Sequence, residues 1–222
     1  MDGQLEIVET ADGSKTLLDR KLNETYHSSK GALTESEHVF IKEGLKPLLE
    51  KESLHVLEVG FGTGLNALLS CREADHHKIP IHYVGLETHP LLFEQVAQLH
   101  YPDWLFDGSA AMLQTMHEVE WENGQPLSTY FTLQKRKLGI EHFTQQSAFD
   151  LVFFDAFAPT KQPEMWGLDF LAPAVAALRP GGVLVTYSSM GQFRRNLATL
   201  GMDVTKIPGP PGKREMVRAK KR

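Results

Sequence analysis

The chain has 222 residues, 41% of them hydrophobic and 23% charged, which is room for one sizeable globular unit with its own core. A single cysteine, Cys71, excludes an intramolecular disulfide and any zinc site built on several thiolates; no apolar run approaches the roughly 20 residues of a membrane span, and the acidic start is no signal peptide, so the expected setting is the cytoplasm. The formal charge of −5 argues against a broad nucleic-acid footprint, but it is uneven, with +5 over residues 213–222 and −10 over the rest.

Thr34-Glu35-Ser36-Glu37 has the form of a capping box and precedes Val39, Phe40, Leu45, Leu48 and Leu49. The spacing predicts an amphipathic helix over 35–51, within an N-terminal extension (1–52) that packs on a core unit (53–222). Strands are predicted at 54–59, 81–87, 149–157 and 183–188, all apolar runs. Between and after them come helices at about 65–75, beyond Pro90, at 167–178 and at 190–200. Residues 202–207 and 214–219, separated by PGPPG, read as an antiparallel pair at the sheet edge. The stretch 101–148 is the least legible, with a loop at 121–126 and a strand at 130–137. Buried strands alternating with helices give an α/β fold: a doubly wound, mostly parallel Rossmann-like sheet with an antiparallel edge strand and an N-terminal helical extension.

The most informative residues follow the first core strand: Glu58-Val59-Gly60-Phe61-Gly62-Thr63-Gly64. The spacing is G-x-G-x-G. A dinucleotide fingerprint needs a third glycine where Leu65 stands, and a phosphate loop needs a lysine where Leu65-Asn66 follow Gly64. Glu58 beside the loop suits an ammonium or sulfonium rather than a phosphate. Glu87, ending the next strand, is placed to accept hydrogen bonds from ribose hydroxyls. Adenosine, no phosphates and positive charge together describe S-adenosyl-L-methionine. The plainer alternative is a strand–helix turn with two surface acids.

Leu57–Gly64 followed by Gly85-Leu86-Glu87 resembles motifs I and II of class I S-adenosylmethionine-dependent methyltransferases. Asp155-Ala156-Phe157-Ala158-Pro159-Thr160-Lys161-Gln162-Pro163-Glu164-Met165-Trp166 resembles the D-x-F-A-P-x-K-x-P-x-M-W signature of the MnmC-like methyltransferases. Gly62–Asn66, the Tyr26-to-Phe40 segment with Gly31 and Glu35, and Lys213–Met216 are similar to that family as well. The resemblance implies methylation of the 5-aminomethyl group of the wobble uridine (U34), giving 5-methylaminomethyl-2-thiouridine, with S-adenosyl-L-methionine as cofactor and the tRNA anticodon region as partner. Fused members of the family carry a flavin-dependent oxidase. This chain, without the length or the G-x-G-x-x-G for it, resembles the stand-alone methyltransferase.

Methyl transfer to an amine needs alignment, exclusion of water and a destination for the amine's proton. Asp155, at the end of a buried strand and followed by two prolines, is the catalytic candidate, facing either the substrate amine or the cofactor's ammonium. Tyr26 is a candidate to close over the cofactor, or a plain lid residue. Phe61 and Trp166 are candidates for stacking, with packing as the alternative. Asn66 is a local hydrogen-bonding group or a contact near the cofactor's carboxylate. Lys161, Lys213 and Arg214, with Arg194 and Arg195, are tRNA-backbone candidates, each otherwise a solvated charge. Glu141 or Asp107 is expected to reach the adenine. The ten histidines lack the i, i+4 pair of a helical zinc site, so no metal is expected. Two other functions fit the pattern less well: an aminopropyltransferase of the spermidine-synthase type, whose strand-four loop would hold more acids, and a non-catalytic RNA-binding protein.

Overall fold

A computed structural model describes residues 5–101 and 105–222. The chain opens with β1 (Leu5–Glu9), β2 (Lys15–Asp19) and β3 (Glu24–Thr25), an antiparallel three-stranded sheet where the sequence reading had only a helical extension. Its short strands do not alternate: β1 and β3 are half-buried or exposed, and β2 buries two consecutive residues, Thr16 and Leu17, which hid them. The helix that follows starts at α1 (Ala32–Ser36), runs on as a π-helical stretch over Glu37–Leu45 and ends in a 3-10 turn at Lys46–Leu48. It begins earlier than predicted, and no capping box forms. Instead the first hairpin supplies the caps: Ser14 Oγ accepts Ala32 N–H at 3.1 Å, and Asp12 Oδ2 accepts Thr34 N–H at 3.0 Å. Burial alone would raise the Asp12 carboxyl, but hydrogen bonds from Ser14, Thr34 and Thr10 hold it below the usual carboxylate range.

The core unit alternates as expected: β4 (Leu54–Val59), α2 (Leu65–His77), β5 (Ile81–Leu86), α3 (Phe93–Ala97), α4 (Ser109–Glu118), β6 (Gly124–Pro126), β7 (Phe131–Arg136), β8 (Phe149–Phe154), α5 (Leu168–Ala177), β9 (Leu178–Thr186), α6 (Gly191–Thr199), β10 (Met202–Pro208) and β11 (Glu215–Lys221). Among the described residues eight strands form one sheet in the order β10-β11-β9-β8-β4-β5-β7-β6. The five central strands are parallel; β11 runs antiparallel between β9 and β10, and β6 antiparallel to β7. The basic C-terminal segment is therefore a strand one position in from the edge, with Lys221 Nζ donating to the Val175 and Leu178 carbonyls at 2.9 and 2.7 Å.

The sheet is apolar on both faces because each is covered. Val56, Leu151, Phe153 and Val185 join one cluster with Phe40, Leu45 and Leu68, while Leu57, Val152, Phe154 and Leu184 join another with Leu171, Val175, Phe193 and Leu197. The chain winds from β4 outward through β5 and β7, then returns to β8 on the other side of β4. Ligands of open α/β sheets bind at such a reversal, beyond the carboxyl ends of the strands.

Candidate active site

The loops after β4, β5 and β8 meet at this reversal and wall a cavity of about 540 Å³, an ordinary size for a small-ligand site. Gly60, at φ 91, and Phe61 both turn their N–H groups onto the Leu86 carbonyl, at 3.0 and 2.9 Å. A Cβ on Gly60 would collide with the Asp155 carbonyl, so glycine is what lets the loops after β4 and β8 touch. Phe61 is 4% exposed, with its ring seated over Gly85, where a Cβ would strike it. Packing dominates its role. Glu87 ties the loops together: Oε2 accepts Gly62 N–H at 3.0 Å and Oε1 accepts His89 N–H at 2.8 Å.

Asp155 forms the opposite wall. Asn66, in the first turn of α2, donates through one amide nitrogen to Asp155 Oδ2 at 2.9 Å and to Glu58 Oε1 at 2.8 Å. Asp155 Oδ1 takes no hydrogen bond from the described residues and is left for a ligand. Burial first, then the negative charge of Glu35, push the Asp155 carboxyl up from 3.8 to about 7; the Asn66 hydrogen bond and Lys213 pull the other way. Glu58 is not in the cavity wall. Its side chain is fully buried beneath Asn66, with Oε2 unpartnered among the described residues, and burial followed by the Asp155 charge push it well above the carboxylate range. The expectation that it faces a cationic ligand is corrected accordingly, since alternation on β4 turns it into the sheet.

The N-terminal extension closes the site. Tyr26 lies against Gly62 and meets Phe157 edge to face at 5.1 Å. His27 contacts Thr16 at 3.0 Å through Nδ1, and burial pushes its imidazole down to about 4, so it is neutral at physiological pH. Asp19, at the end of β2, and Lys21 and Leu22, from the β2–β3 connection, also line the cavity. These residues and His27 escaped the sequence reading because nothing in an irregular polar segment says where it docks.

Several predicted site residues lie elsewhere. Trp166 is 4% exposed, packed on Phe154, Phe193 and Tyr187, with Nε1 donating to the Phe157 carbonyl at 3.0 Å; it shapes the loop after β8 from behind and cannot stack on a ligand. Lys213 is held by Glu35 and lies over the Tyr187 ring, so its ammonium is not free for a phosphate. Asp107 is exposed and outside the cavity wall, whereas Glu141 is in it, beside Leu138 and Ile140. Arg214 and Arg195 are exposed, and Lys161 makes no ion pair among the described residues.

The wall chemistry suits a cationic, phosphate-free ligand. Asp19, Glu87, Glu141, Asp155 and Glu164 face one ammonium, Lys21, among the described lining residues. Glu87 has lone pairs to spare for hydroxyl groups, the N-terminus of α2 favours a carboxylate, and Leu138 and Ile140 offer an apolar slot ending at Glu141. Among the described residues no helix is long and apolar enough to cross a membrane.

Comparison with known proteins agrees with this geometry. Residues 95–222 match the family model described as S-adenosyl-L-methionine-dependent methyltransferase. The chain is 32% identical to the tRNA 5-methylaminomethyl-2-thiouridine biosynthesis bifunctional protein MnmC of Aromatoleum aromaticum, over 96% of this chain and 35% of that protein. It is 30% identical to the protein of the same name from Cupriavidus necator, over 88% of this chain and 31% of that protein. The chain thus spans about a third of the length of these curated relatives. Among solved structures, MNMC2 from Aquifex aeolicus superposes with a TM-score of 0.80 at 29% identity, over 98% of this chain and 70% of that chain. A spermidine synthase bound to the transition-state analogue AdoDATO shares the fold at 16% identity and a TM-score of 0.58, over 99% of this chain and 74% of that chain.

Proposed function

Because the chain belongs to the S-adenosyl-L-methionine-dependent methyltransferases, as an MnmC-like methyltransferase domain, we propose that its substrate is the 5-aminomethyl group of the wobble uridine (U34) in tRNA, methylated to 5-methylaminomethyl-2-thiouridine. The observation that carries the chemistry is Asp155: a carboxyl just past a strand end, in the cavity wall, with Oδ1 taking no hydrogen bond from the described residues and the group pushed up to about 7. The nucleoside itself is suggested by the names of the relatives.

When bound, the cofactor supplies a methyl group on a sulfonium, already activated for in-line displacement. The residues proposed to hold it are Glu87 at the ribose, Glu141 beside the adenine, and Tyr26, Gly60, Gly62 and the first turn of α2 around its amino-acid part; Gly64, expected among them, is not in the cavity wall, and a Cβ there would meet Phe61, His117 and Leu113. Phe61 and Asn66 support that loop from within. An alkylamine with a pKa near 10 is neutral in only about 0.1% of molecules at pH 7, so a proton must be moved before the nitrogen can attack. Asp155 Oδ1 orients the ammonium and receives that proton. A carboxylate of ordinary acidity would be a poor acceptor, and the upward shift narrows the mismatch. Tyr26 and the N-terminal extension exclude water from the reacting atoms. Lys161, Arg194, Arg195 and Arg214 are the proposed contacts to the RNA backbone.

The test is to incubate the protein with methyl-labelled S-adenosyl-L-methionine and tRNA from cells lacking this final methylation, then digest the RNA to nucleosides. Label in the wobble nucleoside, lost in Asp155→Asn, is the expected result. Transfer to a polyamine, or RNA retention without label, would overturn the proposal.

A further inference from the structure

The glycine loop after β4 is gripped by a residue outside the cavity wall. His117, in the last turn of α4, brings Nε2 to 3.0 Å from the Thr63 carbonyl. A carbonyl oxygen only accepts, so Nε2 carries a hydrogen and donates it. The same peptide is held on its other side, where the Gly64 N–H donates to the Phe61 carbonyl at 2.9 Å. Fixed at both its carbonyl and its N–H, the Thr63–Gly64 plane cannot turn. Gly64, at φ 79, is also the N-cap of α2, and its carbonyl accepts the Leu68 N–H at 2.9 Å. The fit is close: a Cβ on Gly64 would come 3.3 Å from His117 Nε2 and 3.2 Å from the Phe61 ring. α4 is itself anchored. Lys135, on β7 and 1% exposed, donates from Nζ to the His117 carbonyl at 2.7 Å, with its ammonium 4.7 Å from the centre of the Trp121 ring. Through its carbonyl and its ring, His117 joins β7 to the loop after β4.

We propose that His117 is a positioning residue for the cofactor: by holding the Thr63–Gly64 peptide, it aims the first turn of α2 into the cavity. That turn has no side-chain cap. The N–H groups of Leu65, Asn66 and Ala67 precede the first intrahelical bond and are open to an anion, and Leu65 and Asn66 stand in the cavity wall. A tilt of this turn would misdirect those N–H groups. Glu87 would still be held by the His89 N–H, and Glu141 stands on another loop. His117 therefore bears on the amino-acid end of the ligand and not on its nucleoside end. The proposal rests on the placement of the amino-acid part at α2 given above.

The experiment is calorimetry with two ligands, S-adenosylhomocysteine and 5′-methylthioadenosine, the second lacking the amino-acid part. His117→Leu should weaken S-adenosylhomocysteine by roughly 10-fold, in line with one lost hydrogen bond to a buried carbonyl, and methylthioadenosine by less than about 2-fold. His117→Gln, whose amide nitrogen keeps a donor at similar reach, should bind both within about 3-fold of wild type. Equal weakening of the two ligands in His117→Leu, or no weakening of either, would overturn the proposal, as would His117→Gln behaving like His117→Leu. Nitrogen-15 NMR of the wild-type imidazole needs no variant: a hydrogen on Nε2 is expected, and a hydrogen on Nδ1 alone would rule the grip out. A wild-type protein that holds both ligands equally tightly would undo the placement of the amino-acid part, and the proposal with it. Equal weakening by His117→Leu, with the wild-type preference intact, would undo the proposal alone.

Discussion

Glu87 and Asp155 stand at the carboxyl ends of two strands that flank β4, yet their surroundings set them to different work. Glu87 accepts two backbone N–H groups, one on each oxygen, and so has a fixed orientation and a stabilised charge. Asp155 accepts one side-chain amide on Oδ2, keeps Oδ1 free, and sits where burial and Glu35 oppose its ionisation. Position in the fold makes both available to a ligand. The local donors decide that one is a fixed acceptor and the other a group that changes its protonation.

Asp155→Asn breaks the comparison at its most consequential point. It preserves shape and the Asn66 neighbourhood but removes the proton acceptor, so kcat should fall by roughly 10²–10⁴, while the cofactor Kd changes only a few-fold; single-turnover methylation and calorimetry separate the two. The sign with pH is set by the raised pKa. The wild-type rate should climb as pH rises toward about 7 and then level, and the residual rate of the variant should not share that limb. Stability runs the other way. A carboxyl whose folded pKa is raised contributes stability below its unfolded pKa and loses it as pH rises through the folded one, here between about 4 and about 7. At pH 8, Asp155→Asn should therefore unfold at a higher temperature than wild type.

Glu87→Gln tests the fixed partner. The amide puts an NH₂ group against one of the two N–H donors that Glu87 now accepts, one on each oxygen, so cofactor affinity should drop by roughly 10–100-fold, in line with one lost charged hydrogen bond. Once the enzyme is saturated, kcat should change less than that. An equal fall in kcat with no change in Kd would reverse the roles assigned to the two acids.

How legible this was depends on the kind of signal. The apolar runs at Leu54–Val59, Ile81–Leu86 and Phe149–Phe154 could only be buried parallel strands, and the glycines after the first fixed where a ligand loop would lie. Asp155 was legible because it ends such a run. Glu58 was misjudged because sequence proximity to the loop does not say which face of the strand a side chain takes. Lys213 carried the sign expected of a phosphate contact, but its partner Glu35 is 178 positions away, a distance no local pattern spans. The β1–β3 sheet gave no periodicity to read, and it supplies Asp19 to the cavity, while the segment just after β3 supplies His27.

The basic surface offers a smaller effect. Within residues 213–222, Lys213 pairs with Glu35, Lys221 binds carbonyls at the end of α5 and Arg222 pairs with Asp203. Deleting the segment would remove a strand from between β9 and β10, so it reports on folding rather than on RNA. Single substitutions are informative. Arg214→Gln and Lys161→Gln should each lower the slope of log K against log salt by about 0.7–0.9 in a tRNA-binding assay. Lys221→Met, which loses carbonyl contacts, should lower the melting temperature and leave the slope alone.

Glu58→Gln should have the mildest effect, and that mildness is the point. Glu58 and Asp155 share one Asn66 amide, but Glu58 has no opening to the cavity and no cation beside it, and burial, then the Asp155 charge, disfavours its ionised form. Glutamine keeps the volume and an oxygen for the Asn66 donor, so stability at pH 6–7 should stay within about 1 kcal/mol of wild type and the pH–rate profile should be unmoved. Glu58→Ala should cost about 2–3 kcal/mol, because it leaves a cavity under Asn66 and takes away one acceptor of its amide, letting it rotate away from Asp155. A charged Glu58 would give a different result. Removing its charge would relieve repulsion on Asp155, and the acid limb of the Glu58→Gln rate profile would move toward lower pH.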